Sequence, residues 1–280
     1  MADTRIASND RIRIAYEVLG SMGPWLLLVQ GLGYGRWGWE PIASDLAKDF
    51  RVVMFDNRGI GESDIPSGPY TVEEMARDAL AVMDDAGATR AHVLGASLGG
   101  MVAQELALTC PDRVDKLVLM CTTAGGSDAY PLPEPTLRLM KEGPTLPPEV
   151  ALRRYVENAM AGGSGASRPD IVEKVYAYRL ANPPNPAAWA AQASAGATFD
   201  ASTRVGDIKA PTLVMQGAQD VVVDPRNGEQ LSKRIPGAQL VLLPGAGHLL
   251  FWEEPERCLE AIRRFLAGGA PTAATGGQAQ

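Results

Sequence analysis

Seven short apolar runs rich in β-forming residues alternate along the chain with amphipathic or alanine-rich stretches, and this alternation restricts the possible folds most strongly. The runs are, in order, RIRIAYEV, WLLLVQG, RVVMFD, AHVLGAS, KLVLMC, PTLVMQG and AQLVLLPG. Stretches such as WLLLV and TLVM are apolar at almost every position, which is typical of strands buried on both faces of a parallel sheet. The pattern predicts an α/β protein with a mostly parallel, doubly wound sheet whose first two strands form an antiparallel hairpin.

Helices are expected between these strands, and one long interval should hold several of them. The predicted helices lie near residues 38–49, 71–87, 97–110, 226–235 and 254–267. About 90 residues separate LVLMC from PTLVM, far more than one crossover helix needs, and they are rich in Pro and Ala. We predict that they carry about four short helices, which either cover a site as a lid or only add packing.

The expected domain organisation follows from that interval. A core domain is predicted from residues 1–124 and 206–267, with residues 125–205 inserted into it as a helical cap. Residues 268–280 are small and polar without an apolar face, so we predict that they form a flexible tail.

Composition restricts the partners and the location of the protein. With 280 residues, of which 46% are hydrophobic, the chain can bury a sizeable core. A net charge of −7 disfavours a basic surface that would bind nucleic acid. The sequence also has no cluster of Lys and Arg that would indicate binding to an anionic membrane. The sequence lacks the apolar segment of a signal peptide and any run long enough for a transmembrane helix, so a cytoplasmic location is expected.

The cysteines and histidines do not suggest a metal centre. Cys110, Cys121 and Cys258 are far apart among apolar neighbours, so we expect reduced packing residues rather than a disulfide or a reactive thiol. Only two histidines occur, and neither forms a metal-ligand pattern with Cys or carboxylates. We therefore predict no metal site.

The segment HVLGASLGGM places Ser97 in a G-x-S-x-G pattern, typical of a nucleophilic serine on a sharp strand-to-helix turn. A serine hydroxyl needs a base within hydrogen-bonding reach, and the base needs an orienting acid. His92 begins the strand that ends at Ser97, roughly 16 Å away along an extended chain, so it cannot be that base. His248 follows the run QLVLLPG, and the carboxyl ends of parallel strands meet at one edge of a sheet. We therefore predict His248 as the base.

The acid and the oxyanion donors are expected at the same edge. Asp220 follows the run PTLVMQG, whereas the rival Asp224 directly precedes Pro225 at a predicted helix start, where an Asp is usually a cap. We favour Asp220. The backbone N–H groups of Leu98 and Leu32 are the predicted donors to a developing oxyanion.

Two other classes of function fit part of the sequence. The stretch VQGLGYGRWGW contains a literal G-x-G-x-x-G after a strand, with Asp56 at the end of the next strand, as in a dinucleotide-binding oxidoreductase. Bulky side chains between its second and third glycines and an N-terminal hairpin disfavour this interpretation, which also leaves Ser97 unexplained. A non-catalytic ligand-binding module on the same scaffold is the other alternative.

Four motifs resemble those of the α/β-hydrolase family, and the resemblance runs from about residue 10 to residue 267. They are FDNRGIGESD, GASLGG, PTLVMQGAQD and GAGHLLFWEEPE. The chain order Ser97, Asp220, His248 is also that of the family. The resemblance implies a cofactor-free serine hydrolase that cleaves an ester or lactone through an acyl-enzyme. Gln30 stands where many members have a histidine, and its amide is expected to hold the oxyanion loop by hydrogen bonds instead.

The resemblance leaves the substrate open. Enol-lactone hydrolases of aromatic catabolism, small esterases, C–C bond hydrolases and cofactor-free perhydrolases or haloperoxidases all fit the same triad. An apolar, aromatic pocket is predicted from six candidate residues: Trp37, Trp39, Met160, Trp189, Phe199 and Trp252. Arg36, Arg153 and Arg154 are candidates for binding an anionic substrate, but the sequence does not place any of them in this pocket. Because burying an unpaired carboxylate there would be costly, we expect uncharged esters or lactones to be preferred.

Overall fold

The computed structural model describes residues 3–269, whose strands form one eight-stranded sheet in the order β1-β2-β4-β3-β5-β6-β7-β8. The strands are β1 (Arg5–Asn9), β2 (Ile12–Leu19), β3 (Trp25–Val29), β4 (Arg51–Phe55), β5 (Ala91–Ala96), β6 (Val114–Met120), β7 (Thr212–Gly217) and β8 (Gln239–Leu243). β2 pairs antiparallel with β1 and β4, and the other neighbours pair parallel. The mostly parallel α/β sheet is therefore confirmed.

The predicted hairpin between the first two apolar runs is wrong, because β4 lies between RIRIAYEV (β2) and WLLLVQG (β3). An N-terminal antiparallel hairpin is formed instead by β2 and a strand outside the seven predicted runs, β1. In β1 (RIASN) only Ala7 is buried, so the segment lacks the apolar continuity of the central strands. By contrast, every residue of β5 and β7 is buried, because helices cover both faces of the sheet there.

Ten α-helices lie within the described residues. They are α1 (Glu40–Leu46), α2 (Val72–Ala86), α3 (Leu98–Thr109), α4 (Glu134–Glu142), α5 (Pro148–Asn158), α6 (Pro169–Ala181), α7 (Pro186–Thr198), α8 (Pro225–Arg234), α9 (Leu250–Glu253) and α10 (Pro255–Leu266). Apolar side chains of α2, α3 and α8 pack in one core cluster, and those of α1, α9 and α10 in a second. The two clusters cover opposite faces of the sheet, as a doubly wound fold requires.

The interval between β6 and β7 holds the four helices α4 to α7. Its buried side chains join both core clusters, with Phe199 in the first and Met160 and Val175 in the second. The helical segment is therefore packed against the core, while the domain boundaries proposed from the sequence stay a prediction. Most of the predicted tail, residues 270–280, lies outside the described residues. No helix within residues 3–269 combines the length and apolarity needed to cross a lipid bilayer.

Candidate active site

Ser97 lies on a sharp turn between β5 and α3, with φ 55° and ψ −122°. A positive φ is unfavourable for a residue with a side chain, so the surrounding packing must hold it in place. A Cβ added to Gly95 would lie 2.2 Å from the carbonyl oxygen of Gly99, and one added to Gly99 would lie 2.0 Å from that of Val29. The two glycines of the motif are therefore required because β5, α3 and β3 approach one another too closely for any side chain.

The imidazole of His248 is held by a buried carboxylate. Its Nδ1 lies 2.9 Å from Oδ2 of Asp220, and the two side chains are 11% and 0% exposed. Oδ2 also accepts a hydrogen bond of 3.0 Å from Nε2 of Gln216, and Oδ1 accepts the N–H groups of Val222 and Val223 at 2.8 and 2.9 Å. With the carboxylate fixed by these donors and Nδ1 engaged, Nε2 of His248 is the ring nitrogen that can act as a base.

The sheet brings the three predicted residues to one edge. Ser97 follows β5, Asp220 follows β7 and His248 follows β8, and these strands run parallel with only β6 between β5 and β7. Neither Oγ of Ser97 nor Nε2 of His248 has a hydrogen-bond partner among residues 3–269. Ser97 and His248 are both partly exposed residues.

The two rivals weighed from the sequence have other surroundings. Asp224 is the N-cap of α8, where it accepts the N–H of Arg226 at 3.0 Å, and the guanidinium of Arg226 lowers the pKa of this carboxyl. His92 is buried at the opposite end of β5 with its ring nearly perpendicular to that of Phe50, and burial lowers its pKa. The structure thus pairs His248 with Asp220 and gives Asp224 and His92 structural roles.

The loop after β3 presents an unused backbone donor beside Ser97. The N–H of Gly31 donates to Oε1 of Gln30 at 2.8 Å, and that of Gly33 donates to Oε1 of Gln192 at 3.2 Å. Between them, the N–H of Leu32 makes no hydrogen bond to any described residue. A Cβ added to Gly31 would lie 3.7 Å from Oγ of Ser97, so this loop is close to the hydroxyl.

Leu98 is the second predicted donor. It is the first residue of α3, and the first N–H groups of a helix have no partner inside that helix. Gln30 holds the loop with its side chain, as expected, and its carbonyl also accepts Nδ2 of Asn57 at 2.9 Å. The anchor Gln192 comes from α7 and belongs to none of the sequence motifs.

Burial divides the six predicted pocket residues. Four of them are at most 5% exposed and belong to the core clusters, which favours packing over substrate contact: Trp39, Met160, Phe199 and Trp252. Trp37 and Trp189 are partly exposed near the loop that carries Leu32. Trp37 stacks on Tyr178 at 5.2 Å, and the indole of Trp189 packs against Gly33. Trp37 and Trp189 therefore remain candidates for the pocket.

The glycine-rich stretch forms a tightly hydrogen-bonded turn. The carboxylate of Asp56, which would bind a ribose, accepts the backbone N–H and Nε of Arg36 at 2.8 and 3.2 Å. It also accepts the N–H of Glu62 at 3.1 Å. A Cβ added to Gly38 would lie 2.4 Å from the side chain of Gln30. The resemblance to a cofactor fingerprint is therefore explained by a tightly bonded turn.

One group of described side chains has the composition of a metal site. Cys121, Asp220 and His248 each place one ligand atom within 4.8 Å of the other two. The sequence does not predict this cluster, because its members are far apart along the chain. Complete burial raises the pKa of the Cys121 thiol well above its usual range, with the nearby carboxylate of Asp220 adding to the effect. A metal needs the thiolate form, so this surrounding disfavours one. All three cysteines of the chain are free, and Cys110 is partly exposed.

The helical segment also holds the loop that carries His248. The N–H groups of His248 and Leu249 both donate to the carbonyl of Ala159, at 3.0 and 3.1 Å. The carboxylate of Glu253 accepts the N–H of Ala161 at 2.8 Å and that of Gly247 at 2.7 Å. Burial raises the pKa of Glu253. This buried carboxylate thus joins the histidine loop to the helical segment.

We expect Glu253→Gln to reduce activity without altering any group that contacts substrate. The amide replaces one acceptor oxygen by a donor that faces a backbone N–H, which should lower the free energy of unfolding by about 1–3 kcal/mol. The resulting shift of Gly247 and His248 should lower kcat/KM by roughly 10- to 100-fold. Urea unfolding and ester kinetics measure both effects. The matched control is Glu254→Gln, since Glu254 is partly exposed, and equal kinetics for the two variants would contradict this role.

The chain is similar in sequence to known proteins. The family model described as alpha/beta hydrolase fold matches residues 24–255. A provisionally named carbamate hydrolase of Caulobacter segnis, RutD, is 31% identical over 269 residues, covering 91% of this chain and 97% of that protein. A provisionally named non-heme bromoperoxidase of Mycobacterium tuberculosis, BpoC, is 29% identical over 262 residues, covering 91% and 98%.

Structural similarity extends over the same region. The crystal structure of the enol-lactonase from Burkholderia xenovorans LB400 superposes with a TM-score of 0.82 at 27% identity, covering 94% of this chain and 100% of that one. The family match includes the strand-to-helix turn of Ser97 and the loops of Asp220 and His248. The chain therefore belongs to the α/β-hydrolase fold family.

Proposed function

We propose that the protein is a serine hydrolase that cleaves a carboxylic ester or lactone through an acyl-enzyme. The observation that carries the proposal is the 2.9 Å contact between Nδ1 of His248 and the buried Asp220, at the sheet edge where Ser97 lies on its strained turn. A small-molecule substrate and a cytoplasmic location are part of the proposal.

The proposed reaction assigns one task to each group. Oγ of Ser97 attacks the carbonyl carbon while Nε2 of His248 takes its proton, and Asp220 stabilises the imidazolium that forms. The N–H groups of Leu32 and Leu98 hold the oxyanion. Collapse of the tetrahedral intermediate breaks the carbon–oxygen bond, and the leaving alcohol takes the proton from His248. Water then attacks the acyl-enzyme by the same steps, which releases the carboxylic acid and restores Ser97.

The named relatives differ in the bond they act on, so the ester assignment needs a chemical test. RutD is named for carbamates and BpoC for peroxidase chemistry, while the structural neighbour is an enol-lactonase. C–C bond hydrolysis and perhydrolysis use the same nucleophile and base. Enol-lactone hydrolysis is the alternative supported by a solved neighbour, and lactones therefore belong in the substrate panel.

The decisive measurement is the trapping of an acyl-enzyme. Rapid mixing with p-nitrophenyl acetate should give turnover, and acid-quenched protein analysed by mass spectrometry should carry one acetyl group on the peptide that contains Ser97. A panel of alkyl esters, lactones, carbamates and a β-diketone then ranks the bond types by kcat/KM. Acetylation at another residue, or no ester and lactone turnover at all, would overturn the proposal. Quenching of tryptophan fluorescence by NADH would support the oxidoreductase alternative instead.

A further inference from the structure

A guanidinium from the helical segment lies against the loop that carries the oxyanion donor Leu32. Arg179, in α6, donates from an Nη atom to the carbonyl oxygen of Gly33 at 3.2 Å. Its guanidinium carbon lies 4.8 Å from the ring centroid of Tyr34. Its Nε atom is buried and has no hydrogen-bond partner among the described residues. This side chain is therefore fixed in place with part of its donor capacity unused.

Arg179 also lacks a counter-charge within the described chain. No carboxylate oxygen of residues 3–269 lies within 4.0 Å of its guanidinium nitrogens. The three arginines considered from the sequence are all paired: Arg36 with Glu17, Asp56 and Glu62, Arg153 with Glu173, and Arg154 with Glu142. A partly buried cation without an ion partner is costly, and stacking on an aromatic ring offsets only a part of that cost.

The position of Arg179 relates it to the reaction. Gly31 and Gly33 belong to one tight turn, which is closed by the N–H of Tyr34 donating to the carbonyl of Gly31 at 3.3 Å. Gly31 lies close to Oγ of Ser97, and Gly33 contacts Arg179. Across such a turn the guanidinium is on the order of 10 Å from the nucleophile. A substrate with a chain of several carbon atoms can span that separation.

The surroundings of the guanidinium suit an organic anion rather than a hydrated ion. Gly33 is packed by the indole of Trp189 as well as by Arg179, and Trp37 lies 4.9 Å from Tyr34. Burial raises the pKa of the Tyr34 phenol, so this neighbour stays neutral and does not compensate the positive charge. The cation is thus flanked by aromatic rings that can contact the apolar part of a ligand while the guanidinium binds its carboxylate.

We propose that Arg179 binds a free carboxylate of the substrate, so that the preferred substrates are esters or lactones that carry a second, ionised carboxyl group. This inference rests on the proposed function for the bond that is cleaved. It reverses the preference for uncharged substrates expected from the sequence. That expectation considered Arg36, Arg153 and Arg154, all of which are paired in the structure, and did not consider Arg179.

The test compares matched substrates and matched variants. Monoethyl esters of glutaric to suberic acid are compared with the corresponding diethyl esters, with hydrolysis followed by proton release at constant pH. The wild-type protein should prefer at least one monoester by tenfold or more in kcat/KM. Arg179→Met should lose about 10- to 100-fold on that monoester, mainly through KM, and change less than threefold on the diester. Arg179→Lys should keep part of the preference, because it retains the charge but not the planar pair of donors.

The control is Arg153→Met, which removes an arginine of the same helical segment that is already paired with Glu173. It should leave both substrates unaffected. A wild-type preference for the diesters, or equal losses on both substrates in Arg179→Met, would overturn the inference and assign Arg179 to loop packing. Circular dichroism and thermal unfolding establish that each variant is folded.

A binding measurement separates this inference from the proposed chemistry. Titration of adipate into the wild-type protein and into Arg179→Met by calorimetry requires no turnover. We expect the Kd for adipate to be at least tenfold larger in the variant than in the wild type. Equal Kd values would contradict a carboxylate site at Arg179. If adipate binding depends on Arg179 while no ester or lactone is cleaved, the proposed function fails and the anion site stands.

Discussion

Ser97→Ala should lower kcat for ester hydrolysis by on the order of 10⁵ to 10⁶ while the protein remains folded. The substitution removes the attacking oxygen but keeps a residue with a Cβ at φ 55°, so the turn carries the same backbone strain as before. The hydrogen bonds that fix the turn run through the backbone of Ser97, from its N–H to Met120 at 2.9 Å and from Thr122 to its carbonyl at 2.8 Å. None of them involves Oγ, so the stability of the fold should be almost unchanged.

The measurement is single-turnover and steady-state hydrolysis of p-nitrophenyl acetate, together with urea unfolding. Ser194→Ala is the matched control, because Ser194 is an exposed residue of α7 and should give wild-type rates. Retention of one tenth of the wild-type kcat by Ser97→Ala would exclude Ser97 as the nucleophile.

Asp220→Asn should lower kcat by about 10⁴, because the amide no longer fixes the tautomer in which Nε2 of His248 is free to accept a proton. Asn could still accept a hydrogen bond through one oxygen. However, its NH₂ group must face either the N–H donors of Val222 and Val223 or those of Gln216 and His248. Whichever way the amide is oriented, one of the two pairs of hydrogen bonds that the carboxylate accepts is therefore lost.

Asp224→Asn is the matched control for that variant. Asn is as good an N-cap as Asp, so α8 should keep its first turn and kcat should change less than threefold. The two variants are compared by kcat and by the free energy of unfolding. A larger loss of kcat in Asp224→Asn than in Asp220→Asn would transfer the role of the acid to Asp224.

The fold was largely predictable because its strands carry strong local signals. Runs such as WLLLV and TLVM are apolar enough to indicate burial on both faces, and the helix α2 begins with a capping box formed by Thr71 and Glu74. The edge strand β1 was missed for the opposite reason. Its sequence RIASN has one buried residue, and the strand forms through pairing with β2 rather than through its own composition.

The candidate site was predictable only where short motifs define it. Ser97, Asp220 and His248 each follow a strand within a few residues, so strand order alone places them at one edge. Gln192 and Arg179 lie on helices without a motif, and Glu253 lies in the segment GAGHLLFWEEPE without a role predicted from the sequence. The roles of all three depend on which face of each helix packs against the core. The rotation of each helix about its own axis is set by tertiary packing, and no periodicity in these segments predicts it.

The helical segment is attached to both halves of the proposed machinery, and this has a consequence for engineering. Gln192 holds the loop of Leu32 by accepting the N–H of Gly33, while the carbonyl of Ala159 accepts the N–H of His248. A chimera that imports the helices of a relative would therefore need to import both of these hydrogen bonds, and a shortened enzyme without the helices would lose alignment of donor and base together. Substrate range in this scaffold is accordingly best altered by single substitutions on the inner helix faces, not by exchange of the segment as a module.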